Sequence, residues 1–155
     1  MMKRVVTLII CILLISNTLA FPAAASEFNS QDSQIVISQK VEYVGDDCYY
    51  IETISIPSVQ IYSNTKTGTK TAAYVASGTT IFSVSVTGKF TYDGSTSDAT
   101  SSTCAVATYV EGATINSRNA YTSGASAVAS GSVTYIGITL QKTVTLTCDK
   151  NGNLS

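Results

Sequence analysis

From Thr79 to Tyr92 the chain alternates apolar and polar residues almost without a break. Phe82, Val84, Val86, Gly88, Phe90 and Tyr92 fall on one side, and Ile81, Ser83, Ser85, Thr87 and Lys89 on the other. Period-two alternation over more than ten residues is what one buried and one wet face of a β-strand produce. Gly88 interrupts the apolar side, which predicts a bulge or a close backbone approach there.

Other segments repeat the pattern at shorter length. IVISQKVEYV (35–44) and CYYIETISI (48–56) read as two strands around a Gly45-Asp46-Asp47 turn, with Pro57 ending the second. VQIY (59–62) reads as a short strand, NTKTGTK (64–70) as a loop and TAAYVA (71–76) as a modest strand before a Ser77-Gly78 turn. DGSTSDATSS (93–102) reads as a loop, TCAVATYV (103–110) as a strand and Glu111-Gly112 as a turn. The segment ATINSRNAYTSG (113–124) carries no clear period. The last section predicts a hairpin with Ala125, Ala127, Ala129, Val133 and Tyr135 on one face, a turn at Ile136-Gly137, and a return from Thr139 to Cys148. Beyond residue 25, no run of helix formers has apolar residues at helical spacing. Short strands with regular turn signals predict an all-β, antiparallel β-sandwich of immunoglobulin-like architecture over residues 35–155.

The first residues follow another logic. Lys3 and Arg4 precede an apolar run from Val5 to Ile15, and Ala23-Ala24-Ala25 follows before polar sequence. These are the three regions of a secretory signal peptide, cut between Ala25 and Ser26. The run is shorter than the roughly 20 residues a bilayer crossing needs. Lipoprotein processing at Cys11 fits poorly, because that cysteine lies inside the apolar run behind a bulky Ile10. Residues 26–34 are a polar N-terminal segment. No second apolar segment or sorting motif follows, so the expectation is release outside the cell, with no membrane attachment after cleavage.

Composition then narrows the partners. Only 12% of the 155 residues are charged, against about a quarter in ordinary soluble domains. Two of the nine basic residues leave with the leader and all ten acidic ones stay. Seven against ten gives the mature chain a net charge of -3, with no basic cluster. Nucleic acid and anionic lipid both demand concentrated Lys or Arg, and neither is expected as a partner.

Candidate chemistry is sparse. There is no histidine, hence no Ser-His or Cys-His pair. Asp46, Asp47, Asp93, Asp98 and Asp149 sit in turns or loops, where carboxylates serve turn geometry. DKNGN (149–153) places oxygens like the opening of a calcium loop, but its glycine comes too early and no bidentate Glu follows. An Asn-Gly turn is the better reading. No metal, cofactor or catalytic residue is expected. The nine tyrosines suit strands as well as sugar stacking, and tryptophan, the usual sugar platform, is absent.

Removing Cys11 leaves Cys48, Cys104 and Cys148. Export favours pairing. Cys104 and Cys148 each sit at the end of an alternating run, at the edge of the expected core, which predicts a disulfide between them. Closing that loop stabilises by roughly 4 kcal/mol in the chain-entropy picture. Cys48, beside Asp46 and Asp47, is the leftover.

IFSVSVTGKFTYDGSTSDATSSTC (81–104) and the ending KTVTLTCDKNGNLS (142–155) resemble a group of small secreted proteins of Gram-positive anaerobic bacteria. The group is one of β-sandwich proteins of unknown function. The shared features are the aromatic-S-V-x-V-T-G-x-F-T-Y strand, a cysteine in each half and the L-T-C-D-x-N-G-N-L-S ending. Phe82 stands where relatives are expected to carry Trp. The resemblance implies the same fold, supports the Cys104–Cys148 pairing and carries over no catalytic residue. The resulting expectation is a non-enzymatic extracellular or cell-surface binding or structural module. The alternative is a carbohydrate-binding module for wall or host glycan.

Overall fold

A computed structural model describes residues 33–58 and 64–155. The signal-peptide reading, the Ala25/Ser26 cut, most of the polar N-terminal segment and the strand expected at 59–62 lie outside the described residues.

Eight strands follow in order: β1 (Gln34–Tyr43), β2 (Cys48–Pro57), β3 (Thr65–Ala76), β4 (Thr79–Tyr92), β5 (Ser97–Thr108), β6 (Thr114–Ser123), β7 (Ser126–Tyr135) and β8 (Ile138–Thr147). β1 to β5 form one antiparallel sheet in chain order, and β6 to β8 a second. The two sheets pack as a single β-sandwich, with β7 and β8 lying against β3, β4 and β5. The strand order, which the sequence left open, is sequential within each sheet.

The predicted alternation sets the core. Phe82, Val84, Val86 and Phe90 of β4 are buried, facing Ala127, Ala129 and Val133 of β7 and Val144 and Leu146 of β8. Small residues on β7 let the sheets approach. A Cβ on Gly131 would stand 2.5 Å from Val106 Cγ2, and one on Gly88 would stand 2.7 Å from the Ala127 Cβ and 2.6 Å from the Phe90 ring. Register with β5 also shifts between Lys89 and Phe90. Gly88 thus has both the close contact and the adjacent bulge that its place in the pattern predicts.

Three segments differ from the expectation. NTKTGTK is mostly strand: β3 begins at Thr65. Its Thr side chains face outward, where Thr69 bonds Thr87 and Thr71 bonds Ser85 across the strands, each at 2.8 Å. Its inward positions are Lys66, Gly68 and Lys70, so no apolar stripe marks it. β5 likewise starts at Ser97, inside the expected loop, and 114–123 is β6.

The Cys104–Cys148 disulfide is not formed; Cys48, Cys104 and Cys148 are free thiols. The reason is register. Cys104 Sγ points at the carbonyl of Ser130 on β7, whereas the Cys148 amide bonds Ala125, one residue before β7. Five residues along a strand are roughly 17 Å, and a disulfide needs Cα atoms within about 7 Å. Cys148 directly follows the last strand as a buried side chain. Burial pushes its thiol up, although the neighbouring Ser97 hydroxyl pulls the other way.

The tail after β8 doubles back. Thr147 and Ser155 exchange both backbone hydrogen bonds at 2.9 Å, and Cys148 bridges Leu154. Leu154 packs against the core and occupies the space a side chain on Gly68 would need.

Candidate binding surfaces

Among the described residues β1 is an edge strand of the larger sheet with no partner on its outer side, and all ten of its residues are exposed. Strand pairing assigns its faces. Gln39, Val41 and Tyr43 lie opposite Thr53, Ile51 and Tyr49 on the outer side, while Ser38, Lys40 and Glu42 lie opposite Ile54, Glu52 and Tyr50 on the core side. A register shift between Val36 and Ser38 leaves Ile37 unpaired and separates the strand into two parts. Ile35, Val36, Ile37, Val41 and Tyr43 are 43–69% exposed. These are the residues that make the sequence read as a strand, yet they do not enter the core. The larger sheet is two strands wider than its partner, so β1 overhangs, while β2 still sends Tyr50 and Ile54 into the core.

A charged cluster closes the sandwich beneath this overhang. Lys142 of β8 reaches Glu42 of β1 and Glu52 of β2, each at 3.2 Å, and its ammonium stands over the Tyr50 ring. Lys70 of β3 adds a 3.7 Å contact to Glu52. Burial pulls the Lys142 ammonium down, but hydrogen bonds to Glu42 and Glu52 outweigh it, and its pKa lies above the usual lysine range. Tyr50 continues into an aromatic row with Tyr74 and Phe82, ring centres 5.2 and 5.7 Å apart in turn. Burial raises the Tyr50 phenol. A hydrogen bond with Cys48, helped by burial, pushes Tyr74 up to about 12. The sequence hid this cluster because Lys142 sits at an inward position of β8, where the period calls for an apolar residue.

The third surface is an open cleft of about 390 Å³ at the far end of β3, β4 and β5. Asn64, Thr65, Thr91, Tyr92, Asp93, Thr96 and Asp98 line it. Thr91 pairs with Thr65 on one side and Asp98 on the other, which makes a polar row across three strands. Asp93 Oδ1 accepts the amides of Thr96 at 2.7 Å and Ser95 at 2.8 Å. Those bonds hold its carboxyl below the usual range. A general acid needs the opposite shift, so Asp93 serves the turn.

Asp149 does the same at the tail. Its Oδ1 accepts the amides of Asn151 and Asn153, and its Oδ2 accepts the Asn153 side-chain amide, all at 2.8–2.9 Å. The calcium-like spacing is thus spent on a turn. Among the described residues no three Cys, Asp or Glu side chains gather into a metal-binding group.

No protein-family model, curated protein or solved structure matches the chain.

Proposed function

We propose that the protein is a non-enzymatic extracellular binding and structural module that accepts a partner strand along β1. One observation carries this: a ten-residue free edge, exposed throughout, with apolar side chains on both faces. Unpaired edges template pairing with another chain, and proteins ordinarily keep them short, covered or charged. Strand addition uses backbone hydrogen bonds for affinity and alternate side chains for selection. The signal-peptide pattern read in the sequence at residues 1–25 supports a site of action outside the cell.

The test uses a probe of known sequence. A fluorescent peptide QIVISQKVEY, copied from β1, binds the protein in an anisotropy titration, and Val41→Pro abolishes binding by removing a backbone donor and fixing φ. A peptide that fails to bind, or binds Val41→Pro equally well, removes the proposal.

A second reading, carbohydrate binding, rests on the cleft. Three threonines, an asparagine, two carboxylates and a tyrosine supply donors, acceptors and a ring for a polyol. Sugar-induced NMR shifts at Thr91 and Asp98, lost in Asp98→Ala, support it; no shift with wall-derived saccharides removes it.

A further inference from the structure

We infer that the occupant of the β1 edge is β1 of a second copy, paired antiparallel about a two-fold axis at Val41. This rests on the strand-addition reading and names its partner. Side-chain direction and charge select the register. Opposed residues in a regular antiparallel pair point to the same face, so the axis passes through a residue. An axis at Lys40 or Glu42 sets a like charge against itself. An axis at Gln39 places Val41 against Ile37, the residue that the bulge removes from regular pairing. At Val41, Lys40 opposes Glu42 of the second copy, twice by symmetry. Gln39 then opposes Tyr43, and Val41 meets its own counterpart.

The charges that guard this edge against an apolar strand therefore fit their own inverse. Rejection of other strands and acceptance of the same one come from the same two residues. Lys40 takes part in none of the ion pairs of the neighbouring cluster, which use Lys70 and Lys142. Glu42 is half-exposed even while it holds Lys142. Beyond the axis, the overhang of one copy meets the overhang of the other. The main strand contacts of each small sheet with the larger one fall on β3, β4 and β5, away from β1. The contact is isologous, the commonest form for like chains. Its five-residue span makes it small and weak.

Sedimentation equilibrium of the exported protein tests this. Wild type shows a concentration-dependent dimer. Lys40→Glu alone and Glu42→Lys alone each weaken it by roughly tenfold or more, because two favourable cross-strand pairs become two like-charge pairs. An equimolar mixture of these two variants regains the dimer, since each strand then finds its opposite. Val41→Cys gives a reducible dimer on mild oxidation, read against wild type, whatever Glu42→Lys does to the fold. A monomer at every concentration, or a dimer indifferent to these charges, overturns the inference. If the β1 peptide still binds such a monomer, strand addition stands and only self-pairing falls. If the peptide fails as well, both fall.

Discussion

The Lys142 ammonium stands 4.1 Å from the centre of the Tyr50 ring while it contacts Glu42 and Glu52 at 3.2 Å. One side chain of the small sheet therefore holds two strands of the large one. Lys142→Met keeps the stem and removes the charge. The expected loss is about 1–2 kcal/mol, read by chemical denaturation, with faster amide exchange in β1. The pKa of Lys142 is raised by folding. Its contribution is full below the unfolded lysine value and is lost as pH rises through the higher folded one. The raised Tyr50 phenol acts in the same alkaline direction. Wild type should therefore lose more stability on alkaline titration than Lys142→Met, and Tyr50→Phe separates the two groups.

Ile136 occupies the left-handed region with φ 49°, beside Gly137 at 72°, and is 77% exposed. A two-residue hairpin turn wants this backbone, but a β-branched side chain is a poor occupant. Ile136→Asn should raise stability by about 1 kcal/mol, visible as a higher Tm with unchanged circular dichroism. An unchanged or lower Tm contradicts the strain argument.

Gly88→Ala drives a methyl into the Phe90 ring and the Ala127 methyl. A loss of about 1–3 kcal/mol is expected. Ala127→Gly relieves one of the two contacts, so the double variant should lose less than the sum of the single ones. Strict additivity would mean the sheets do not meet there.

Hydrogen bonds from Asn153 and its neighbours depress the Asp149 carboxyl. A depressed carboxylate contributes fully above its unfolded value, near 3.8. That contribution is lost as pH falls through the lower folded value. Protection factors at Gly152 and Asn153 should therefore fall in acid before the core opens, and Asp149→Ala should show reduced protection at neutral pH too. Leu154→Ala, which empties the space over Gly68, should cost about 1–2 kcal/mol.

If the leader directs export as proposed, intact-mass analysis of protein recovered from the medium should show a chain starting at Ser26. After denaturation it should take up three alkyl groups. In the native state Cys148 should react last, being buried with a raised pKa. Loss of two mass units and uptake of one group would restore a disulfide.

The core strands were legible because their burial is one-sided. Phe82 to Phe90 and Ala127 to Val133 print the sandwich directly in the alternation. Thr65 to Lys70 escaped because its inward positions hold Lys66, Gly68 and Lys70, whose cover is a leucine from the tail and an ion pair from β2. β6 escaped for a related reason: it is an edge whose residues are mostly exposed. The binding surfaces were least legible. IVISQKVEY reads as an ordinary strand, and only the width of the opposite sheet shows that its apolar residues face solvent. The cysteine pairing failed because Cys104 falls inside β5 while Cys148 lies just past β8, and two cysteines at the ends of alternating runs need not share a level in space.

The sequential strand order has a consequence for how the chain acquires its shape. Apart from the step from β5 to β6, each strand docks on the one just made, so most loops that must close are short and their entropy cost is low. Folding can advance hairpin by hairpin from the N-terminal side while the remainder is still emerging. Stopped-flow refolding should be fast for an all-β chain of this size, and slowed most by changes at β4 and β7, where the halves finally meet.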